Sequence, residues 1–224
     1  MTLSELPLQT RKRAPSKRAL ATKARVLDAA ETVFAAKGFD GATIRDIAAH
    51  AGEPVGTIHH HGGGKERLFH QTVARRAATL SELRLTALEA AKEGGVLTVE
   101  TVLTAFFKPF FDVTQDDPSW RNYARLVAHV STDVRWADIA KECFDPTLEP
   151  FMDALTKLLP NQSRQNLAAT VVFSVSAFLA LLTSRDRIGA IGGTGASEAE
   201  ELQDLIRFCS QGMTGPTRQR PGVT

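Results

Sequence analysis

The chain has little of what disulfide-built, zinc-built and most catalytic proteins rely on. Its two cysteines, Cys143 and Cys209, lie far apart and form no CxxC pair, so neither a disulfide framework nor a zinc knuckle is available. Both are expected as small buried apolar residues. No stretch alternates apolar and polar residues with period two, which leaves β-sheets without a sequence signal. The longest apolar run, TVVFSVSAFLALL at 170–182, falls short of the roughly 20 residues that a bilayer crossing needs and carries two serines, so no membrane span is expected. GxSxG, HExxH and carboxylate pairs at active-site spacing are all missing, so no catalytic residue, metal ligand or cofactor is assigned. The basic amino end, RKRAPSKR, has no apolar stretch behind it to act as a secretory signal, and a cytoplasmic protein is the expectation.

What is present is an uneven charge. Residues 1–80 hold thirteen Lys/Arg against seven Asp/Glu, whereas the remainder holds fourteen against eighteen. Arg11, Lys12, Arg13, Lys17, Arg18, Lys23 and Arg25 stand together with no acid between them. Such a cluster is the footprint that polyphosphate binding needs, because each neutralised phosphate releases condensed counterions.

Helical periodicity runs through the rest. Val26, Ala30, Val33 and Phe34 form one apolar stripe, which Gly38 ends. Thr43 caps a second helix with Ile44, Ile47, Ala48 and Ala51 on one face, and Gly52 stops it after two turns. A third short helix opens at Pro54 and reaches about His60. Two short helices across a glycine turn are the helix-turn-helix pattern. A long helix follows from Lys65 to about Glu93. Further helices are read at about 98–113, 118–131, 136–159 with interruptions at Pro146 and Pro150, 163–184 and 197–211. The predicted fold class is all-α: an N-terminal three-helix helix-turn-helix domain, then a C-terminal helical bundle for ligand binding and dimerisation.

Residues 22–69 carry a family likeness. The pieces "AA", Phe34 with "KGF", "T-I-x-x-IA-x-x-AG" from Thr43 to Gly52, "GTI" at Gly56 to Ile58 and "KE-x-LF" from Lys65 occur in one order. In this the chain resembles the DNA-binding domain of the TetR family of transcriptional repressors. The resemblance implies a homodimer whose paired recognition helices enter successive major grooves of a palindromic double-stranded operator. It also implies a helical body whose small-molecule ligand releases the DNA. Carried over residue by residue, Thr43 and Lys65 would hold phosphates, and Val55, Gly56, Thr57 and His59 would face the groove, with Arg45 and His60 beside them. The expected division is a basic disordered arm at 1–21, the DNA-binding domain at 22–69, the ligand and dimer domain at 70–214, and a disordered tail at 215–224. Departures from the family pattern stand at Glu53, Pro54, His59, Gly62 and Gly64. Gly62 replaces an inward phenylalanine, a change that predicts a loosened head unless neighbours fill the space. These departures keep a second reading open, an all-α ligand-binding or enzymatic protein that retains a degenerate head.

Two motifs mislead. His59, His60 and His61 point about 100° apart on a helix and cannot jointly chelate one ion. GAIGGTG at 189–195 copies a nucleotide-loop spacing, yet no strand precedes it, so a mobile linker is expected there. For the body, Phe106, Phe110, Trp120, Tyr123, Arg125, His129, Phe144 and Phe173 are the candidate lining of a pocket for an apolar or aromatic ligand. Leu167, Val171, Val175, Phe178, Leu182, Leu202, Leu205, Ile206 and Cys209 on the last two helices exceed what one layer usually hides. By the resemblance they are the candidate dimer interface.

Overall fold

The computed structural model describes residues 16–193, 195 and 197–215. Most of the expected arm and tail, residues 1–15 and 216–224, lies outside them. Among the described residues the chain forms eleven α-helices and no strand. In order these are α1 (Lys17–Gly41), α2 (Ile44–Ala51), α3 (Val55–Gly62), α4 (Lys65–Glu93), α5 (Val99–Asp116), α6 (Ser119–Thr132), α7 (Ala137–Cys143), α8 (Asp145–Leu158), α9 (Arg164–Thr183), α10 (Arg185–Gly192) and α11 (Glu198–Thr214). A 3₁₀ turn, Val134–Trp136, joins α6 to α7.

Helix α1 begins at Lys17, inside the segment expected as arm, because the Ser16 hydroxyl accepts from the Ala19 amide at 3.2 Å and caps it. Its regular geometry breaks at Gly38. Thr43 and Asp46 then form a reciprocal capping box at the start of α2, so two otherwise orphaned backbone amides are satisfied. Gly52 ends α2 in the left-handed region, at φ 64°, where a side chain would be strained; this is the turn of the helix-turn-helix. Pro54 caps α3 from outside and is not its first helical residue, as the sequence had suggested.

The head closes around Val26, Ala30, Val33 and Phe34 of α1, Ile47 and Ala48 of α2, Ile58 of α3, and Leu68 and Phe69 of α4, all buried. Phe34 meets Phe69 edge-on at 5.1 Å. The loosened head expected at Gly62 is not found. Gly62 is buried, and a Cβ built on it would lie 3.0 Å from Leu68 Cδ1 and 3.1 Å from Leu68 Cβ. Leu68 therefore occupies the space. Glu53, another departure, pairs with Arg25 of α1, which draws Arg25 out of the free basic cluster.

In the body, α4 packs on α1, α5, α7 and α8, while α9 packs on α6, α8 and α11. Pro109 and Pro150 lie inside α5 and α8 without ending either, so Pro150 does not interrupt α8 as anticipated. Helix α9 matches the helix read at 163–184 and, against the expectation from its apolar run alone, is by length and composition apolar enough to cross a bilayer. Here its inner residues Leu167, Val171, Phe178 and Leu182 are buried against neighbouring helices. The expected linker is also corrected. Gly189 to Gly192 belong to α10, which is held by Arg185 pairing with Glu198 and Glu201 of α11.

The packing at Gly62 and the open space at Gly64 predict opposite outcomes. Gly62→Phe overpacks against Leu68 and should cost about 1–3 kcal/mol in urea unfolding. Gly64→Ser caps α4 at a position where a Cβ meets nothing within 4 Å, and should stabilise by about 0.5 kcal/mol.

Candidate nucleic-acid interface and ligand cavity

Helix α3 has two sides. Ile58 and Gly62 point into the head, while Val55, Gly56, His59 and His60 are exposed and Thr57 is half-buried. Thr43 and Arg45, at the start of α2, are exposed as well, and Lys65 opens α4. The structure thus brings all eight sequence-predicted DNA contacts to the exposed or half-exposed surface of the head. Nothing obstructs a close backbone approach at Gly56, where a Cβ would find no atom within 4 Å. His59 Nδ1 lies 3.2 Å from the Gly63 carbonyl, which fixes its ring at the end of α3. Lys65 Nζ donates to the Asp40 carbonyl at 3.3 Å and stands 4.5 Å over the Phe39 ring, so it is held to the end of α1.

Head and body meet where α1 packs on α4 and α6, and among the described residues two clusters stand out there. In the first, Glu31 of α1 is buried, and its carboxylate accepts from Arg76 Nε at 3.0 Å, Arg76 Nη2 at 2.9 Å and Arg75 Nη2 at 3.3 Å. Arg75 also donates to Asp28, and Arg76 to the Ser119 hydroxyl of α6 at 2.6 Å. Burial works to lower the Arg76 pKa, but the Glu31 carboxylate, with Asp117 and Asp28 behind it, more than offsets it and the net shift is upward. Arg76 also lies 4.5 Å over the Trp120 ring. In the second contact, Arg135 holds both Asp40 carboxylate oxygens at 3.0 Å, and Trp136 packs on Phe39 and Phe69 at 4.7 Å each. The Arg135 hydrogen bond keeps the Asp40 carboxyl below its ordinary pKa. Both of these charged groups are exposed, so the aromatic packing carries more of that contact.

A cavity with a water-accessible interior of about 220 Å³ lies between α4, α5, α6, α7, α8 and α9. Its wall from α4 is Ala77, Leu80, Ser81 and Arg84, at i, i+3, i+4 and i+7. Phe106 and Phe110 come from α5, Tyr123 and Val127 from α6, and Cys143 to Leu148 include further lining from α7 and α8. Helix α9 closes it with Val171, Val175, Phe178 and Leu179. The polar content is small. Thr147 donates to Ser81 at 2.7 Å, burial pushes the Cys143 thiol up to about 11, and the Tyr123 phenol is raised further by its burial. Both groups are therefore protonated at neutral pH. This makes Cys143 a poor nucleophile and a poor redox sensor.

The candidate residues for the pocket divide. Phe106, Phe110, Tyr123 and Phe144 line the cavity. Trp120 does not: it is buried one layer behind, edge-on to Tyr123 at 5.6 Å and against Arg76. Arg125 and His129 are exposed on the outer side of α6, with Arg125 bonded to Asn122. Phe173 is 69% exposed on the outer side of α9, because the buried stripe of that helix runs through Val171, Ser174 and Phe178. The candidate dimer set is displaced inward too. Leu167, Val171, Phe178, Leu182, Leu202, Ile206 and Cys209 are buried within one protomer, and Val175 and Leu205 are half-buried. Val171, Val175 and Phe178 face the cavity. The apolar residues that α9 and α11 expose are Val172, Phe173 and Phe208. Sequence reasoning passed over Arg84, Ser81 and Thr147. For Ser81 and Arg84 the signal was the α4 stripe itself, since both fall in register with Ala77 and Leu80, whereas Thr147 on α8 carried no such signal.

Comparison with known proteins adds two profile matches, "Bacterial regulatory proteins, tetR family" over residues 26–72 and "Tetracyclin repressor-like, C-terminal domain" over 104–212. The HTH-type transcriptional repressor AcnR of Corynebacterium efficiens is 41% identical over 61 residues, which is 25% of this chain and 32% of that protein. The chain thus spans about a third of the length of that curated relative. Among solved structures, a TetR-like transcriptional regulator from Rhodococcus sp. RHA1 superposes with a TM-score of 0.57 at 20% identity, over 91% of this chain and 100% of that one. A proposed transcriptional regulator from Pseudomonas aeruginosa PAO1 superposes with a TM-score of 0.59 at 21% identity, covering 86% and 90%. At these identities the structural likeness speaks to the fold.

The buried carboxylate gives the junction a measurable signature. Glu31→Gln leaves Arg75 and Arg76 without their buried counter-charge and should destabilise the protein by about 3 kcal/mol in urea unfolding. Asp40→Asn, which loosens only the exposed pair, should leave the midpoint unchanged.

Proposed function

From the premise that the chain belongs to the TetR family of bacterial regulatory proteins, we propose that it is a cytoplasmic repressor, released from its operator when a small molecule enters the cavity. The observation that carries this reading is the course of α4. One unbroken helix of 29 residues starts beside the reading helix at Lys65 and forms a cavity wall from Ala77 to Arg84. At 1.5 Å per residue, roughly 28 Å separate Lys65 from Arg84 along its axis. A ligand that favours one tilt of α4 shifts the head with it, and by linkage weakens DNA binding by its differential affinity for the two states.

The aromatic and ionic chain beside α4 supports the same coupling. Tyr123 lines the cavity, Trp120 packs on Tyr123, Arg76 covers Trp120, and Glu31 of α1 binds Arg76. In this reading Trp120 transmits and does not touch the ligand. The body acts as a sensor, with no catalytic step.

The partner on the outer face of α9 and α11 is a second copy of the chain. Phe208 is 70% exposed and Phe173 69%, and a twofold axis there would pair two heads for a palindromic operator with half-sites one helical turn apart. In this reading Phe173 and Phe208 stand in for the inward residues first assigned to that role, while Val172 also lines the cavity.

Gel retardation on the DNA upstream of the chain's own gene tests the reading. Affinity should fall steeply with salt. Lys65→Ala should weaken binding to all sequences and lower the log–log salt slope by about one. Thr57→Ala should cost about 1–3 kcal/mol on the operator and little on random DNA. Retardation without sequence preference in the parent protein would instead favour a ligand-binding protein with a degenerate head. Phe173→Glu with Phe208→Glu should convert the dimer to monomer in light scattering, and a persisting dimer would place the interface elsewhere.

A further inference from the structure

The cavity holds a cation that the fold does not neutralise. Among the described residues, the Arg84 guanidinium makes one hydrogen bond, from Nε to the Phe106 carbonyl at 2.8 Å, and no carboxylate pairs with it. Its carbon centre lies 3.8 Å over the Phe106 ring and 5.7 Å from the Phe110 ring. One Nε–H is therefore spent and one face is covered by aromatic carbon. That leaves the terminal Nη groups as the free fork of a side chain that lines an apolar chamber.

We propose that Arg84 is the counterion for a carboxylate, so that the cavity takes a small organic acid with an apolar body. The inference rests on the reading that the cavity is the effector site, and it names the chemical class of that effector. Two parallel N–H donors match the two oxygens of a carboxylate in a way that a hydroxyl or an amine cannot use. Tyr123, kept protonated by its burial, offers a further donor from α6 in the same cavity. Burial pulls the Arg84 pKa down only to about 10, so the group stays charged at neutral pH. Asp145, the acidic residue of the lining, is exposed at the start of α8 and does not satisfy it. The remaining walls, from Leu80, Val127, Val175, Phe178 and Leu179, suit alkyl or aryl carbon.

Burial of an unpaired charge also costs stability in the empty protein. A structural arginine would behave in the opposite sense, since its loss would break a needed contact.

The test uses the full-length protein with three probes of equal chain length: octanoate, octan-1-ol and octylammonium. Calorimetry and thermal shift should show octanoate binding at least about tenfold tighter than octan-1-ol, as a charge-assisted bidentate contact provides, with octylammonium weakest. Arg84→Met should abolish the preference for the acid, keep the alcohol, and leave the empty protein at least as heat-stable as the parent. Arg84→Gln, which keeps a donor for the Phe106 carbonyl, serves as a second variant if the methionine protein does not fold. Equal binding of acid and alcohol by the parent, or an acid preference that survives both variants, overturns the proposal. Retardation assays with the same probes separate this failure from failure of the repressor reading. If acid and alcohol bind alike and both release DNA, Arg84 is not the counterion but the cavity is the effector site. If the acid is preferred and DNA affinity is unchanged, the counterion stands and the effector role falls. If no probe binds, both fall.

Discussion

The arrangement depends on α4 remaining one continuous helix. Its sequence from Lys65 to Glu93 contains neither glycine nor proline, so no position within it invites a break. Its inner face changes partners along its length. Leu68, Phe69 and Val73 complete the head, Arg75 and Arg76 grip α1, and Ala77 to Arg84 form the cavity wall. Because the three contacts share one rigid body, a displacement at any of them is felt at the others. A hinge inside α4 would leave the head folded and the cavity formed, yet disconnect them.

The junction with α1 shows why that rigidity reaches the reading surface. Glu31 is a charged residue taken out of water, an expensive choice unless its lone pairs are filled. Three N–H donors from two arginines fill them. The Trp120 ring beneath Arg76 then ties the same cluster to the aromatic layer that ends at the cavity. A polar cluster of this kind has few alternative arrangements, because any shift of α1 against α4 leaves a buried charge without its partner.

Helix periodicity and caps made most of the fold legible from residues alone. Thr43 as cap and Gly52 as stop both mark boundaries that the structure shares. Errors arose where tertiary contacts override local signals. Glycines at 189–192 read as linker, yet Arg185 pairing with α11 holds them in a helix; Gly62 read as a gap, yet Leu68 sits in it. The residues of the head surface came from the family resemblance and not from spacing, and the structure leaves them exposed or half-exposed. The cavity was half legible. Aromatic residues can be counted in a sequence, but which side of α6 or α9 they occupy depends on phase against neighbours. A one-residue difference separates Phe173, outside, from Ser174, inside. Trp120 was one layer off for the same reason.

Glu31 and Arg84 show how far burial alone can be read. Both are ionisable groups within the packed body of the protein, and both would be flagged by a search for charge out of place. Around Glu31 the chain supplies charges of the opposite sign, two arginines whose remaining charge is met by Asp28 and Asp117, so the carboxylate is explained by the structure that surrounds it. Around Arg84 it supplies a carbonyl and two aromatic rings, which position a guanidinium without neutralising it. Evolution could have placed leucine there at lower cost, since a well-packed apolar residue generally matches or exceeds a buried charge in stability. What distinguishes the two sites is the partner and not the space, since a cleft adjoins each: Glu31 meets guanidinium donors of its own chain, whereas Arg84 faces a largely apolar chamber with no carboxylate against it. A charge left unpaired beside empty space has its missing partner outside the chain, and the sign of that charge specifies the sign of the partner.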